Sequence, residues 1–426
     1  MNKRIACCSL LFVWVLLGGC SLATPISSTL PVNDPVPAST FTAPPPTSTS
    51  TPGLAQSPTP TLLPSPSPTE TPSIFNPAEV IAPENAARLA VLKQVLDCSL
   101  SDMVFSADGR QIYIACPPVV YVYDVETLTR RVFYSDNDNI FWSLLALSPD
   151  GAHLLISYDF NWILVNAATG QKQQTFDFSK QWPSQGSVFE TTLLNWSGDG
   201  SVIAMGSIAY RSAGSLQCLP CEHIADRLDY YNAENGSFIH SETKTGWTIT
   251  SDQMVDTGII NVINITGLAA SPDGRLFAAS RRSSQKPDSI ILYDAHSGAE
   301  LRKLPTTNYY SSVVFSPDGK TLAFGNYFGE ITFWDLAANS EIRMVTDTSG
   351  PVQILKNSPD GRLLYDVSQN GWLSLWDAST GDLLQQLDPQ GNSPGFSYDN
   401  LMAVSPSGKM LAFGTESGRI IFLGIP

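Results

Sequence analysis

Seven copies of one four-residue turn constrain this chain more than any other feature. They read Ser106-Ala-Asp-Gly109, Ser148-Pro-Asp-Gly151, Ser197-Gly-Asp-Gly200, Ser271-Pro-Asp-Gly274, Ser316-Pro-Asp-Gly319, Ser358-Pro-Asp-Gly361 and Ser405-Pro-Ser-Gly408, at intervals of 42, 49, 74, 45, 42 and 47 residues. Pro at the second position presets φ near −65°, and Gly at the fourth accepts the left-handed backbone that sends the chain back on itself. Alternating apolar stretches flank each turn, as in SSVVF before Ser316 and TLAFG after Gly319. Each turn therefore marks a two-strand hairpin. A second signal follows where nothing is inserted: Tyr123-Asp124, Val165-Asn166, Trp334-Asp335, Trp376-Asp377 and, weakly, Leu423-Gly424, with Tyr231-Asn232 and Tyr293-Asp294 arriving later. Four residues past that Asp or Asn stand Leu128, Gly170, Gly236, Gly298, Asn339 and Gly381. A site filled mostly by Gly and once by Asn needs φ > 0, so a second hairpin closes each unit.

Units of about 42 residues with four strands, an S-P-D-G turn and a terminal W-D resemble the WD40 family, from about Asn85 to Pro426. The resemblance implies an all-β, seven-bladed propeller of four-stranded antiparallel blades. The motifs are strong in blades five and six and degraded elsewhere. No blade keeps the family's Gly-His dipeptide, so its buried Asp-His-Ser-Trp network is expected to be missing. The last unit ends after its third strand, RIIFLGIP, while LAVLKQVLD ahead of the first unit looks like a fourth strand. Leu89 to Leu96 is expected to complete blade seven and join the chain ends. Pro83 to Arg88 before it reads as a short helix.

The remaining residues divide into a leader and a tether. Lys3 and Arg4 precede an apolar run from Ile5 to Leu17, about 13 residues against the roughly 20 needed to span a bilayer. It ends in Leu17-Gly18-Gly19-Cys20, which resembles the lipobox of bacterial lipoproteins and implies a signal peptide over 1–19 and a lipidated Cys20. Residues 20–77 form a Pro/Ser/Thr-rich linker with fifteen of the chain's 31 prolines after Cys20; its charges are Asp34 and Glu70. Such a tract cannot build a core, and reaches about 170 Å if extended or about 40 Å as a coil. Residues 78–426 are left for the propeller. The expected location is extracytoplasmic, anchored by the N-terminal lipid to a bacterial cell membrane or outer membrane.

Composition narrows the function. The formal charge is −15, and −17 without Lys3 and Arg4, which argues against nucleic acid, whose binding needs clustered cations. Four histidines, and no H-E-x-x-H, G-x-S-x-G, Walker loop or G-x-G-x-x-G, leave no enzymatic signature. No cofactor or metal is expected; Asp136-Asn-Asp138-Asn lacks the Gly and distal Glu of a calcium loop. The leading expectation is a monomeric, non-catalytic module binding a protein or carbohydrate partner. The alternative is a propeller hydrolase or lactonase with a metal or carboxylates in the central channel.

Strand parity puts the S-x-D-G turns on one rim and the second-to-third and blade-to-blade connections on the other. On that second rim the connections Tyr210 to Asp226 and Thr243 to Thr266 read as long loops beside the basic stretch Arg281, Arg282 and Lys286. Aromatics gather there too: Tyr158, Phe160, Trp162, Trp182, Trp247, Tyr309, Tyr310, Tyr327, Phe328 and Trp372. Exposed, they would stack on sugars or anchor a peptide; their other use is packing between blades. Among the later cysteines, the blade-one hairpin is expected to bring Cys116 back to Cys98, and Cys218-Leu-Pro-Cys221 to close a small disulfide staple.

Overall fold

A computed structural model describes residues 77 and 79–426, apart from 97, 136–143, 159–160, 178–186, 213–220, 246–262, 284–288, 305–309, 348, 389–400 and 416–417. Strand β1 (Ala90–Leu96) is followed by blade one, β2 (Asp102–Phe105), β3 (Gln111–Cys116), β4 (Val119–Asp124) and β5 (Arg130–Ser135). Blade two is β6 (Leu144–Leu147), β7 (His153–Tyr158), β8 (Asn161–Asn166) and β9 (Lys172–Asp177). Blade three is β10 (Ser187–Trp196), β11 (Val202–Ser212), β12 (Cys221–Asn232) and β13 (Phe238–Thr245), and blade four β14 (Ile263–Ala270), β15 (Leu276–Ser283), β16 (Ser289–Asp294) and β17 (Glu300–Lys303). Blade five holds β18 (Tyr310–Phe315), β19 (Thr321–Asn326), β20 (Glu330–Asp335) and β21 (Ser340–Thr346); blade six holds β22 (Val352–Asn357), β23 (Leu363–Ser368), β24 (Leu373–Asp377) and β25 (Leu383–Leu387). Blade seven is β26 (Leu401–Val404), β27 (Met410–Gly414) and β28 (Arg419–Gly424), completed by β1 in the order β1-β28-β27-β26.

The molecule is therefore an all-β propeller of seven four-stranded antiparallel sheets, closed as the sequence led one to expect. Ala90 lies opposite Gly424 and Leu96 opposite Arg419. The first strand of each sheet packs on the first strand of the next, from β2 round to β26 and back to β2. The inner strands thus form a closed ring, and β1 pairs with β28 to join the two ends of the described chain within one blade. Apolar side chains fill each interface between blades, as Leu363, Tyr365, Val367, Phe413 and Leu423 do between six and seven.

The repeated turn has a chemical reason. In the first six, the Ser hydroxyl donates to the turn's Asp at 2.5–2.6 Å and accepts the N–H of the residue two beyond the Gly, as Ser106 does with Asp108 and Gln111. The fourth-position glycines take φ from +67° to +74°. They also close a ring of their own: a Cβ on Gly361 would lie 3.2 Å from Pro317 of the preceding turn, and one on Gly109 would lie 3.5 Å from Pro406. The second hairpin also needs its left-handed residue, even where the side chain is not Gly: Leu128 has φ +54° and Asn339 φ +53°.

The chain enters on this turn-bearing rim. Ile81 donates its N–H to Gly408 O at 2.9 Å, Glu79 bridges Ile425, and Glu84 pairs with Arg362 of the blade-six turn. The expected helix is one 3-10 turn, Ala86–Arg88, with Ala86 buried against the core of blades six and seven.

Candidate functional site

Three expected rim features turn out otherwise. Trp162 is 1% exposed, in the core between blades two and three with its ring 5.2 Å from that of Tyr231. Its period-two phase is that of Leu164, which faces the same interface, so position near a strand end misjudged it. Arg281 is 5% exposed, because β15 continues past Ser280 and pairs Arg281 with Ser289; the guanidinium stacks 5.9 Å from the Tyr293 ring centroid. The expected basic patch thus loses its first member to the interior. The long second-to-third connection of blade three is mostly strand: β11 and β12 pair out to Ser212 opposite Cys221.

Tyr158, Arg282 and Tyr310 lie in β7, β15 and β18. Cys20, Phe160, Trp182, Cys218, Trp247, Lys286 and Tyr309 lie outside the described residues, as does Asp136-Asn-Asp138-Asn. Cys98 and Cys116 form the expected disulfide, with Cα atoms 5.8 Å apart. The indole N–H groups of Trp334 and Trp376 are buried without a hydrogen-bond partner among the described residues, in keeping with the missing Gly-His dipeptide.

Tyr327 and Phe328 are 59% and 61% exposed and Trp372 is 38% exposed. They stand on the second-to-third turns of blades five and six, opposite the S-x-D-G rim. Neither turn is loose. Asn326, buried, accepts the N–H of Phe328 at 2.8 Å and of Glu330 at 3.0 Å, and donates to Glu330 Oε2 at 2.6 Å. In blade six, Ser368 exchanges backbone bonds with Gly371 and Trp372 at 2.9 Å. One connection, Asp347 to Pro351, ties the turns side by side: Asp347 N–H donates to Gly329 O at 2.7 Å, Gln369 N–H to Pro351 O at 2.7 Å, and Asn370 Nδ2 to Ser349 O at 2.7 Å.

Beneath this connection lies a polar cluster that motif reading missed. The Asp347 carboxylate accepts Ser349 N–H at 2.7 Å, Ser374 Oγ–H at 2.7 Å and Gln386 Nε2 at 2.9 Å. Asp366, Ser374 and Gln386 are successive cross-strand neighbours on β23, β24 and β25. Asp366 shares the phase of Leu364, so it faces the interface with blade five. It is entirely buried, and neither carboxylate oxygen receives a hydrogen bond from an N–H or hydroxyl among the described residues. Burial, then the neighbouring Asp347, push Asp366 well above the ordinary carboxylate range. Asp347 feels burial too, but hydrogen bonding with Asp366, Ser349 and Ser374 outweighs it and holds it below that range. The signal was in the repeat: five residues past each turn Gly the other blades place Ile114, Ile156, Met205, Ala279, Phe324 and Phe413, all buried and apolar.

Elsewhere the chemistry is sparse. Asp102, on channel-lining β2, accepts N–H groups from Met103 at 2.7 Å and Leu145 at 2.8 Å, and burial pushes it up to about 6 against the pull of those bonds and of Lys356. Among the described residues no three His, Cys, Asp or Glu side chains gather as metal ligands. A cleft of about 230 Å³ opens on the turn rim between blades five and six, floored by Ala323 and Phe333 and flanked by Asp318 and Asp360. It is smaller than the roughly 300 Å³ at which drug-sized ligand pockets begin. Asp347 and Asp366 are a pair of neighbouring carboxyl groups of the kind acid–base catalysis uses, but at 2% and 0% exposure they are closed off from solvent.

No protein-family profile matches the chain. A stretch of 118 residues, 27% of the chain, is 30% identical to Protein groucho of Drosophila melanogaster. The match covers 16% of that protein, so the chain spans less than a fifth of this relative's length. The seven four-stranded blades make the chain a propeller, and this distant likeness is in keeping with one of WD40 type.

Proposed function

We propose that this protein is a non-catalytic scaffold that docks a protein partner on the rim of blades five and six. One observation carries the reading: Tyr327, Phe328 and Trp372 are exposed on ordered turns fastened to the same connection. Aromatic side chains have few rotors, so a partner gains large contact area at small entropic cost, and interface hot spots draw on them accordingly. A rim set by backbone hydrogen bonds is also pre-organised. In the same reading Cys20 carries lipid and anchors the chain outside the cytoplasm. Residues 79–89 run along the turn rim, the rim opposite the exposed aromatics.

Affinity capture from solubilised membranes with the full chain tests the docking rim. The triple variant Tyr327→Ala, Phe328→Ala, Trp372→Ala is expected to lose the captured protein, while Asp318→Ala on the opposite rim keeps it. Equal capture by the triple variant refutes the reading, and capture of a glycan instead of a protein would reassign the partner class. Changing Cys20 to Ala is expected to move the protein into the soluble fraction; continued membrane retention would refute the anchor.

A further inference from the structure

We propose that Asp347 and Asp366 share a single proton, and that this proton latches the connection from Asp347 to Pro351, and through it the two aromatic turns. The starting point is the oddity of Asp366: the same position in the six sister blades is apolar, and here a carboxyl group is buried in the interface. An ionised carboxylate without donors is strongly disfavoured in such a place, whereas a protonated one that donates to a neighbour is not. Asp347 is that neighbour. Its own oxygens accept donors from Ser349, Ser374 and Gln386, which fit an ionised acceptor and leave one of its roughly four lone-pair sites for Asp366.

The charged surroundings are simple. From β24 and β25 Asp366 meets the neutral Ser374 and Gln386, from β22 its partner in register is Leu355, and from blade five the interface offers Ala323, Ile331 and Phe333. Glu330, on the rim turn above, is engaged by Asn326. Asp347 is the one charged group acting on Asp366 among the described residues. When the shared proton leaves to solvent, two carboxylates face each other in an apolar interface. Asp366 cannot move, being held mid-strand by ladders to β22 and β24. Asp347 can, because it sits in a connection. Its departure releases the bond to Gly329 O and, through Ser349, the bond from Asn370.

The direction of the response follows from linkage. Asp366 binds its proton more tightly closed than open, so closure is favoured at low pH and weakens as pH rises from the ordinary carboxyl range through the raised value, then levels. The opening equilibrium grows at most tenfold per pH unit across that window. An effect on docking rests on the function proposed above; the latch itself does not.

Hydrogen exchange of the full chain, read by mass spectrometry from about pH 5 to about pH 9 and corrected for intrinsic rates, isolates the latch. Peptides covering 344–352 are expected to open more readily as pH rises, while peptides from blades two and four do not. Asp366→Asn should flatten that slope. Asp347→Asn, which removes the negative neighbour, should move the response to lower pH, and serves if Asp366→Asn does not fold. A slope unchanged in either variant, or equal in every blade, overturns the latch. Loss of capture in the triple aromatic variant speaks only to the docking reading, so the two fail separately.

Discussion

The two rims of this propeller are built by opposite rules. On one, seven near-identical turns abut each other in a ring, and each Asp of the Ser106, Ser148, Ser271 and Ser316 turns is held below the ordinary carboxylate range, chiefly by the Ser hydroxyl. On the other, the second-to-third turns of blades five, six and seven share one closing bond, Gly329, Gly371 and Gly418 N–H to the carbonyls of Asn326, Ser368 and Thr415, but what the described turns display departs from blade to blade: Pro117-Pro118 in blade one, Tyr327 and Phe328 in blade five, Trp372 in blade six. Repetition marks the rim that closes the fold, and departure from repetition marks the rim free to recognise something.

The contrast can be broken most forcefully at closure. Deleting residues 79–96 removes β1 and the lead-in along the turn rim, exposing an edge of β28 and uncovering Ile421 and Leu423. The expected loss exceeds a domain's whole stability of about 5–15 kcal/mol, seen as a missing cooperative transition in thermal circular dichroism. A soluble, cooperative truncation would mean that closure is not what the turn rim secures.

Smaller effects discriminate within the second rim. Replacing both Cys98 and Cys116, which stand 18 positions apart, by Ala should cost about 3 kcal/mol in chemical denaturation. Asp366→Asn should raise stability by about 1–3 kcal/mol at neutral pH and by nothing near pH ~4. The sign is that of a carboxyl raised on folding: its stabilisation is complete below the unfolded value and is lost as pH climbs to the folded one. A gain independent of pH would assign the effect to packing instead. Smallest is the triple Ala variant at Tyr327, Phe328 and Trp372, expected within about 0.5 kcal/mol of the parent in melting despite its effect on capture. A large loss would show these aromatics to be structural.

Much of the architecture was legible before any coordinate. Ser-x-Asp-Gly and Trp-Asp are local chemistry, since a turn's hydrogen bonds close within five residues; counting them yields seven blades, and the truncated last unit yields the joining strand. The candidate site was legible only in part. Tyr327 and Trp372 fall on turns marked by Gly329 and Gly371 and stand exposed, whereas Trp162 and Arg281 were misjudged. For Trp162 the facing blade decides, and for Arg281 the length of β15 does. Neither is written within reach of the residue itself.

The amino-acid sequence alone determined the sevenfold repeat, the closure of the ring and the Cys98–Cys116 pairing, because each depends on strand alternation and turns a few residues long. Tertiary structure alone decided that Asp347 and Asp366 meet, 19 positions apart, and that one connection fastens two aromatic turns from different blades. Those contacts are set by how neighbouring sheets stack, and burial between sheets is also what makes an extra carboxyl group consequential.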